Sequence, residues 1–192
     1  MLGKAPATMD QTAPIPTPEP SPRASVRRAL CGGSLSKPGT DVPSDRLERR
    51  SASGEPELRE MPAFGGGTWT WVNLWAAWCA PCKEEIPRLL SFEDRLDKAK
   101  IPFRLVFVSL DDDERQMSAF LDSQPMDGLR RTYWLHEGAE RTDWLIHWGF
   151  KPGLNLPAHA LVDPNGKIRC RVDGAVDDSD YDQLLRLLRA SH

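Results

Sequence analysis

The sequence predicts an α/β protein, a central mixed β-sheet flanked by helices, preceded by a disordered Pro-rich N-terminal extension. Three observations predict it. Apolar runs of strand length, rich in branched and aromatic residues, alternate with segments whose apolar residues recur at helical spacing, the pattern of parallel strands joined by helical crossovers. The last two such runs flank Asp163-Pro164-Asn165-Gly166, and Asn-Gly between alternating runs signals an antiparallel hairpin. The first 60 residues carry few large apolar side chains and many Pro, Gly, Ser and charged ones.

The elements follow in order. Trp69 to Ala76 (WTWVNLWA), after the Gly65-Gly66-Gly67 breaker, reads as a strand buried on both faces. Cys79 to about Lys100 places Ile86, Leu89, Leu90, Phe92 and Leu96 at near-helical spacing, with Pro87 expected to kink the helix. Phe103 to Leu110 is a second central strand. The acid run Asp111-Asp112-Asp113-Glu114 reads as N-capping and favourable charge at a helix start rather than as a metal site. A helix follows to about Ser123, then a strand at Arg131–His136 and a short helix from Arg141 to Trp148 ending at Gly149. Ala158–Val162 and Lys167–Val172 form the hairpin, and Asp178 to Arg189 the last helix. Trp144 and Trp148 at helical spacing read as core rather than as a binding surface.

Residues 13–22 (APIPTPEPSP) favour extended polyproline conformations. Residues 32–60 bury too little apolar surface to offset the entropy of ordering them. The expected organisation is a largely disordered extension or linker over 1–60, with at most one short strand, and a folded domain over 61–192. With 40% apolar residues and a formal charge of -3, the chain lacks the basic excess a nucleic-acid partner demands. It contains no stretch apolar enough to span a bilayer. No basic start followed by an apolar core marks a signal peptide. Arg28-Ala29-Leu30-Cys31 looks like a lipoprotein cleavage site only superficially, since Pro, Ser and Arg precede it.

The chemistry centres on Trp78-Cys79-Ala80-Pro81-Cys82. A spacing of three brings both sulfurs within reach of each other in the first turn of a helix. The free N–H groups and dipole at that helix N-terminus favour a thiolate at Cys79. Cys79 is the expected nucleophile on a partner's disulfide, and Cys82 the thiol that resolves the mixed disulfide. Structural zinc needs four ligands, and Cys31 and Cys170 stand alone without a His at knuckle spacing. Haem attachment needs a His where Lys83 stands. Neither a metal nor a cofactor is expected.

The segment Val72-Asn73-Leu74-Trp75-Ala76-Ala77-Trp78-Cys79-Ala80-Pro81-Cys82-Lys83-Glu84-Glu85-Ile86-Pro87 resembles the active-site segment of the TlpA/ResA/DsbE group of thioredoxin-like thiol–disulfide oxidoreductases. The resemblance spans roughly residues 60–190 and implies a thioredoxin-like fold. It implies a bacterial protein on the extracytoplasmic, periplasmic side, in many members membrane-tethered. Such proteins reduce specific disulfides, in cytochrome c maturation or in copper-site assembly. The partners implied are disulfide-containing protein substrates and an upstream dithiol reductant.

Further residues carry over by position. Asn73 stands where thioredoxins proper have a buried Asp. Glu85 matches an acidic residue that modulates the cysteine pKa values; as a half-buried carboxylate it can take the proton of Cys82 or raise its thiol pKa, or it can be an exposed helix Glu pairing with Arg88 or a nearby lysine. Leu156-Pro157 matches the cis-proline loop that faces the cysteine pair and offers backbone groups to an incoming peptide. Trp78 resembles the group's apolar ledge beside the active sulfur, so that Trp78, Ala80, Pro81, Leu156 and Pro157 are the expected substrate contacts. His159 is either an ordinary strand side chain or a proton-handling group. One TlpA-type variant carries a second, structural disulfide between the N-terminal region and this part of the sheet, which makes Cys31–Cys170 a candidate bridge; two free thiols are the alternative.

Two other classes also fit the sequence. A peroxiredoxin shares the fold, but it places Thr three residues before its peroxidatic cysteine, where this chain has Ala76. A binding module with a vestigial cysteine pair and a recruiting Pro-rich arm is the other.

Overall fold

The computed structural model describes residues 29–33, 35, 39–42, 47–57, 60, 64–151 and 153–190. The polyproline run and the rest of residues 1–28 lie outside the described residues. Seven strands form one sheet: β1 (Thr40–Asp41), β2 (Glu48–Ser51), β3 (Trp69–Trp75), β4 (Phe103–Ser109), β5 (Arg131–Trp134), β6 (Ala158–Val162) and β7 (Lys167–Asp173). Their order across the sheet is β1-β7-β6-β3-β4-β5-β2. Among the described residues the helices are α1 (Ala80–Lys98), α2 (Glu114–Ser123), α3 (Ala139–His147) and α4 (Asp180–Ala190), and a 3-10 turn spans Leu30–Gly33.

The expected mixed sheet is present. β3, β4 and β5 run parallel, joined by helical crossovers, and β6 pairs antiparallel with both β3 and β7. Every residue of β3 is buried. Alternation along it splits the core in two. Trp69, Trp71 and Trp75 face one cluster with Ile86, Leu89, Phe92 and Leu96 of α1, Met117 and Leu121 of α2, and Tyr181, Leu184 and Leu188 of α4. Val72 and Leu74 face the other with Trp144 of α3, Trp148 and Phe150. Both tryptophans, Trp144 at 4% and Trp148 at 1% exposure, are core residues.

α1 runs without interruption through Pro87, which points to solvent. α3 ends where expected, at Gly149 with φ +75°; a Cβ there would also collide with the Arg171 guanidinium, which donates to Trp148 O. Among the described residues no helix is long and apolar enough to cross a membrane.

Residues before position 60 supply both edge strands, where the sequence pointed to one at most. β1 is only two residues long and pairs with β7. β2 pairs in register with β5 over four residues. Its sequence, Glu-Arg-Arg-Ser, has little strand propensity. Arg50 is instead held by Glu48 at 2.7 Å, by Glu114 of α2 at 2.6 Å and over the Trp134 ring at 4.5 Å. Leu30, 1% exposed, inserts into the α1/α4 side of the core, and its N–H donates to Gln183 Oε1 at 3.1 Å. Beside it Cys31 is disulfide-bonded to Cys170 of β7, with a Cα–Cα distance of 5.3 Å.

Candidate active site

The cysteine pair sits where the buried strand β3 gives way to α1. Cys79 is the N-cap of the helix, with extended backbone, and its Sγ accepts the Cys82 N–H at 3.2 Å. The two sulfurs form a disulfide, with the Cα atoms 5.3 Å apart. Cys82 is fully buried and Cys79 nearly so. In the dithiol form the N–H that now meets Cys79 Sγ is available to a thiolate, and the positive end of the helix dipole lies at the same atom.

Trp78 is 59% exposed, and Ala80 and Pro81 are exposed beside it, so the approach to Cys79 is through a small apolar surface. The Leu156–Pro157 peptide is cis. Ala158 pairs with Leu74 in the β6–β3 register, which sets Pro157 at the level of Trp75, the end of the strand that leads to the cysteines. Leu156 is partly buried against the core cluster that contains Trp75, Cys79 and Cys82. The structure thus gathers Trp78, Ala80, Pro81, Leu156 and Pro157 at one end of the sheet with the cysteine pair. Cys31 and Cys170 lie apart from it, with Cys170 on β7 opposite Leu161 of β6, which pairs with Trp71 rather than with the Trp75 end of β3.

Glu85 is one turn beyond Cys82 on the buried face of α1 and has no exposed surface. That excludes the exposed pairing with Arg88, which instead donates to Val176 O at 2.9 Å and pairs with Asp178 at 3.3 Å. Glu85 Oε1 accepts from Asn73 Nδ2 at 2.8 Å and Oε2 from the Val176 N–H at 2.9 Å. His159 of β6, also fully buried, places Nε2 3.6 Å from Glu85 Oε2. Its Nδ1 accepts the Trp71 indole N–H at 2.9 Å and lies 3.2 Å from Asn73 Nδ2. A carboxylate taken out of water is tolerated only when donors converge on it, and here Asn73 of β3 and the Val176 N–H ahead of α4 supply them.

The acid run resolves into four separate jobs. Asp113 caps α2 through the Arg115 N–H at 2.9 Å. Glu114 binds Arg50, and Asp112 pairs with Arg141 at 2.7 Å. Asp111 is fully buried and accepts the Ala77 N–H and the Ser109 hydroxyl, so it grips the loop that leads into Trp78 and Cys79. Burial raises its pKa, against the lowering effect of those hydrogen bonds. Sequence reasoning missed this residue. The available signal was Ser109-x-Asp111 at the end of a buried strand, where a carboxylate can serve loop N–H groups.

A family model described as thioredoxin-like matches residues 67–168. The chain belongs to the thioredoxin-like family. Among curated proteins it is 27% identical over 145 residues to the thiol:disulfide interchange protein HelX of Rhodobacter capsulatus, covering 73% of this chain and 70% of that one. It is also 33% identical over 93 residues to the probable nucleoredoxin 1 of Arabidopsis thaliana; the match takes in 48% of this chain but spans only 15% of that longer protein. Among solved structures, a putative thiol:disulfide interchange protein DsbE from Chlorobium tepidum superposes with a TM-score of 0.58 at 23% identity, covering 78% of this chain and 96% of that one. StoA from Bacillus subtilis gives 0.51 at 16% identity, over 74% and 98%. At these identities the structural likenesses speak for the fold.

Proposed function

We propose that this protein is a thiol–disulfide oxidoreductase that reduces specific disulfides in extracytoplasmic partner proteins, of the kind handled in cytochrome c maturation or copper-site assembly. The observation that carries the reading is the Cys79–Cys82 pair at the N-terminus of α1, above a buried carboxylate. The relationship to HelX, named a thiol:disulfide interchange protein, supports it. The Cys31–Cys170 bridge supports an oxidising compartment.

In the reduced protein the Cys79 thiolate attacks one sulfur of the partner's disulfide, forming a mixed disulfide and releasing the partner's other sulfur as a thiolate. Cys82 then gives its proton to Glu85 and attacks Cys79 Sγ. The Cys79–Cys82 disulfide forms, the second partner sulfur leaves, and two electrons have passed to the partner. Trp78, Ala80, Pro81, Leu156 and Pro157 hold the partner's chain while this happens. An upstream dithiol reductant restores the pair.

A redox titration against glutathione, run beside protein-disulfide and peroxide turnover assays, tests this reading. Couples of this fold range from about -270 to about -120 mV. The expected result is a potential at the reducing end, with disulfide reduction and no peroxide consumption. A potential well above the glutathione couple overturns the reductase direction, and peroxide consumption without disulfide reduction overturns the assignment.

A further inference from the structure

His159 belongs to no part of the exchange steps above, yet it is fully buried beside Glu85. Its protonation state follows from its neighbours. An indole N–H can only donate, and Trp71 donates to His159 Nδ1 at 2.9 Å. The Asn73 amide nitrogen also reaches Nδ1, at 3.2 Å. Turning that amide over would set its oxygen against Glu85 Oε1, so its NH2 end stays with Glu85 and His159. Two donors on Nδ1 leave it no proton of its own. The ring proton is therefore on Nε2, the nitrogen 3.6 Å from Glu85 Oε2. Charging the ring would put an N–H against the Trp71 N–H, so the ring stays neutral.

We propose that His159 is a positioning residue for Glu85: Trp71 and Asn73 hold it as a neutral Nε2–H ring whose N–H dipole faces the carboxylate and sets how readily Glu85 takes and returns the Cys82 proton. At 3.6 Å the N–H stops short of a full hydrogen bond in the disulfide form, close enough to favour the carboxylate without competing with Asn73 and Val176 for its lone pairs. Two charged groups on α1 and α4 are committed elsewhere. Arg88 of α1 binds Val176 O and Asp178. Asp180 at the start of α4 accepts from the Asp177 N–H and from Gln183. The inference rests on the proposed exchange chemistry for its use, though not for its geometry.

Two measurements test it. In protein with 15N-labelled histidine, long-range 1H–15N spectra should show His159 as the neutral Nε2–H tautomer in oxidised and reduced protein alike, and still uncharged at about pH 5, below the ordinary histidine range. An Nδ1–H tautomer, or an imidazolium at that pH, overturns the proposal. His159→Leu should move the titration midpoint of the Glu85 carboxyl carbon, and with it the acid limb of mixed-disulfide resolution, up by about one pH unit, a tenfold gain in proton affinity. His159→Gln, which restores a donor, should recover part of that shift. A folded His159→Leu protein with an unmoved midpoint overturns the proposal, and if that variant does not fold, the tautomer measurement on the unaltered protein decides. The tautomer and the carboxyl midpoint are read without substrate, so a failure of the exchange reading shows separately, as absent mixed-disulfide formation.

Discussion

Asp111 accepts the backbone N–H of Ala77 on both carboxylate oxygens, at 2.9 and 3.0 Å, from a fully buried position one strand away. The bond ties the end of β4 to the loop that presents Trp78 and Cys79. Removing the acceptor in Asp111→Ala leaves the part-buried Ala77 N–H and the buried Ser109 hydroxyl without it, and should cost about 1–3 kcal/mol. The raised pKa adds a pH dependence whose sign is fixed. The folded state holds this proton more tightly than the unfolded chain, so the stability contribution is fully present below the unfolded pKa and is lost as pH rises through the folded one. The stability gap between the unaltered protein and Asp111→Asn, from urea unfolding, should therefore narrow as pH rises from the acid range to neutrality. A gap independent of pH contradicts this account of Asp111.

Glu85→Gln tests the proton acceptor. Glutamine keeps the shape but presents one donor and one acceptor, where Asn73 and the Val176 N–H both need an acceptor. Mixed-disulfide resolution, followed by stopped flow, should slow about 100-fold or more and lose its acid limb. Attack by Cys79 should change far less. An unchanged pH profile would reduce Glu85 to a structural residue.

Much of this was legible in the sequence, for physical reasons that differ by element. β3 declared itself because five of its seven consecutive buried residues are apolar or aromatic, and α1 because Ile86, Leu89, Phe92 and Leu96 recur at helical spacing. The cysteine pair was legible because its chemistry is local, set by a spacing of three at a helix start. β2 was not, because Glu48, Arg49, Arg50 and Ser51 form a strand only once Trp134 and Glu114 hold Arg50. Asp111 and the Trp71–His159–Asn73–Glu85 chain were hidden for the same reason: their partners lie up to 88 positions away in sequence, and no window along the chain contains both ends.

The Leu30–Cys31 segment should stabilise the fold without touching the exchange reaction. Cys31 and Cys170 are 139 residues apart, and a cross-link over so long a loop contributes about 2–5 kcal/mol. Replacing both with serine should lower the thermal midpoint while the Cys79–Cys82 potential holds. Leu30→Ala, which empties a fully buried site in the core, should cost about 2–5 kcal/mol in its own right. A potential that moves with the double serine variant would join the two disulfides functionally, contrary to their separation in the fold.

The central claim is that Cys79 attacks and Cys82 resolves. Mass mapping of mixed disulfides formed by single-cysteine-site variants with a disulfide-bearing protein substrate tests it most directly. Cys82→Ser should accumulate a stable adduct on Cys79, since nothing remains to release it, while Cys79→Ser should form little adduct because Cys82 is sealed beneath it. Adducts on Cys82 in the Cys79→Ser protein, with none on Cys79 in the Cys82→Ser protein, would contradict the account.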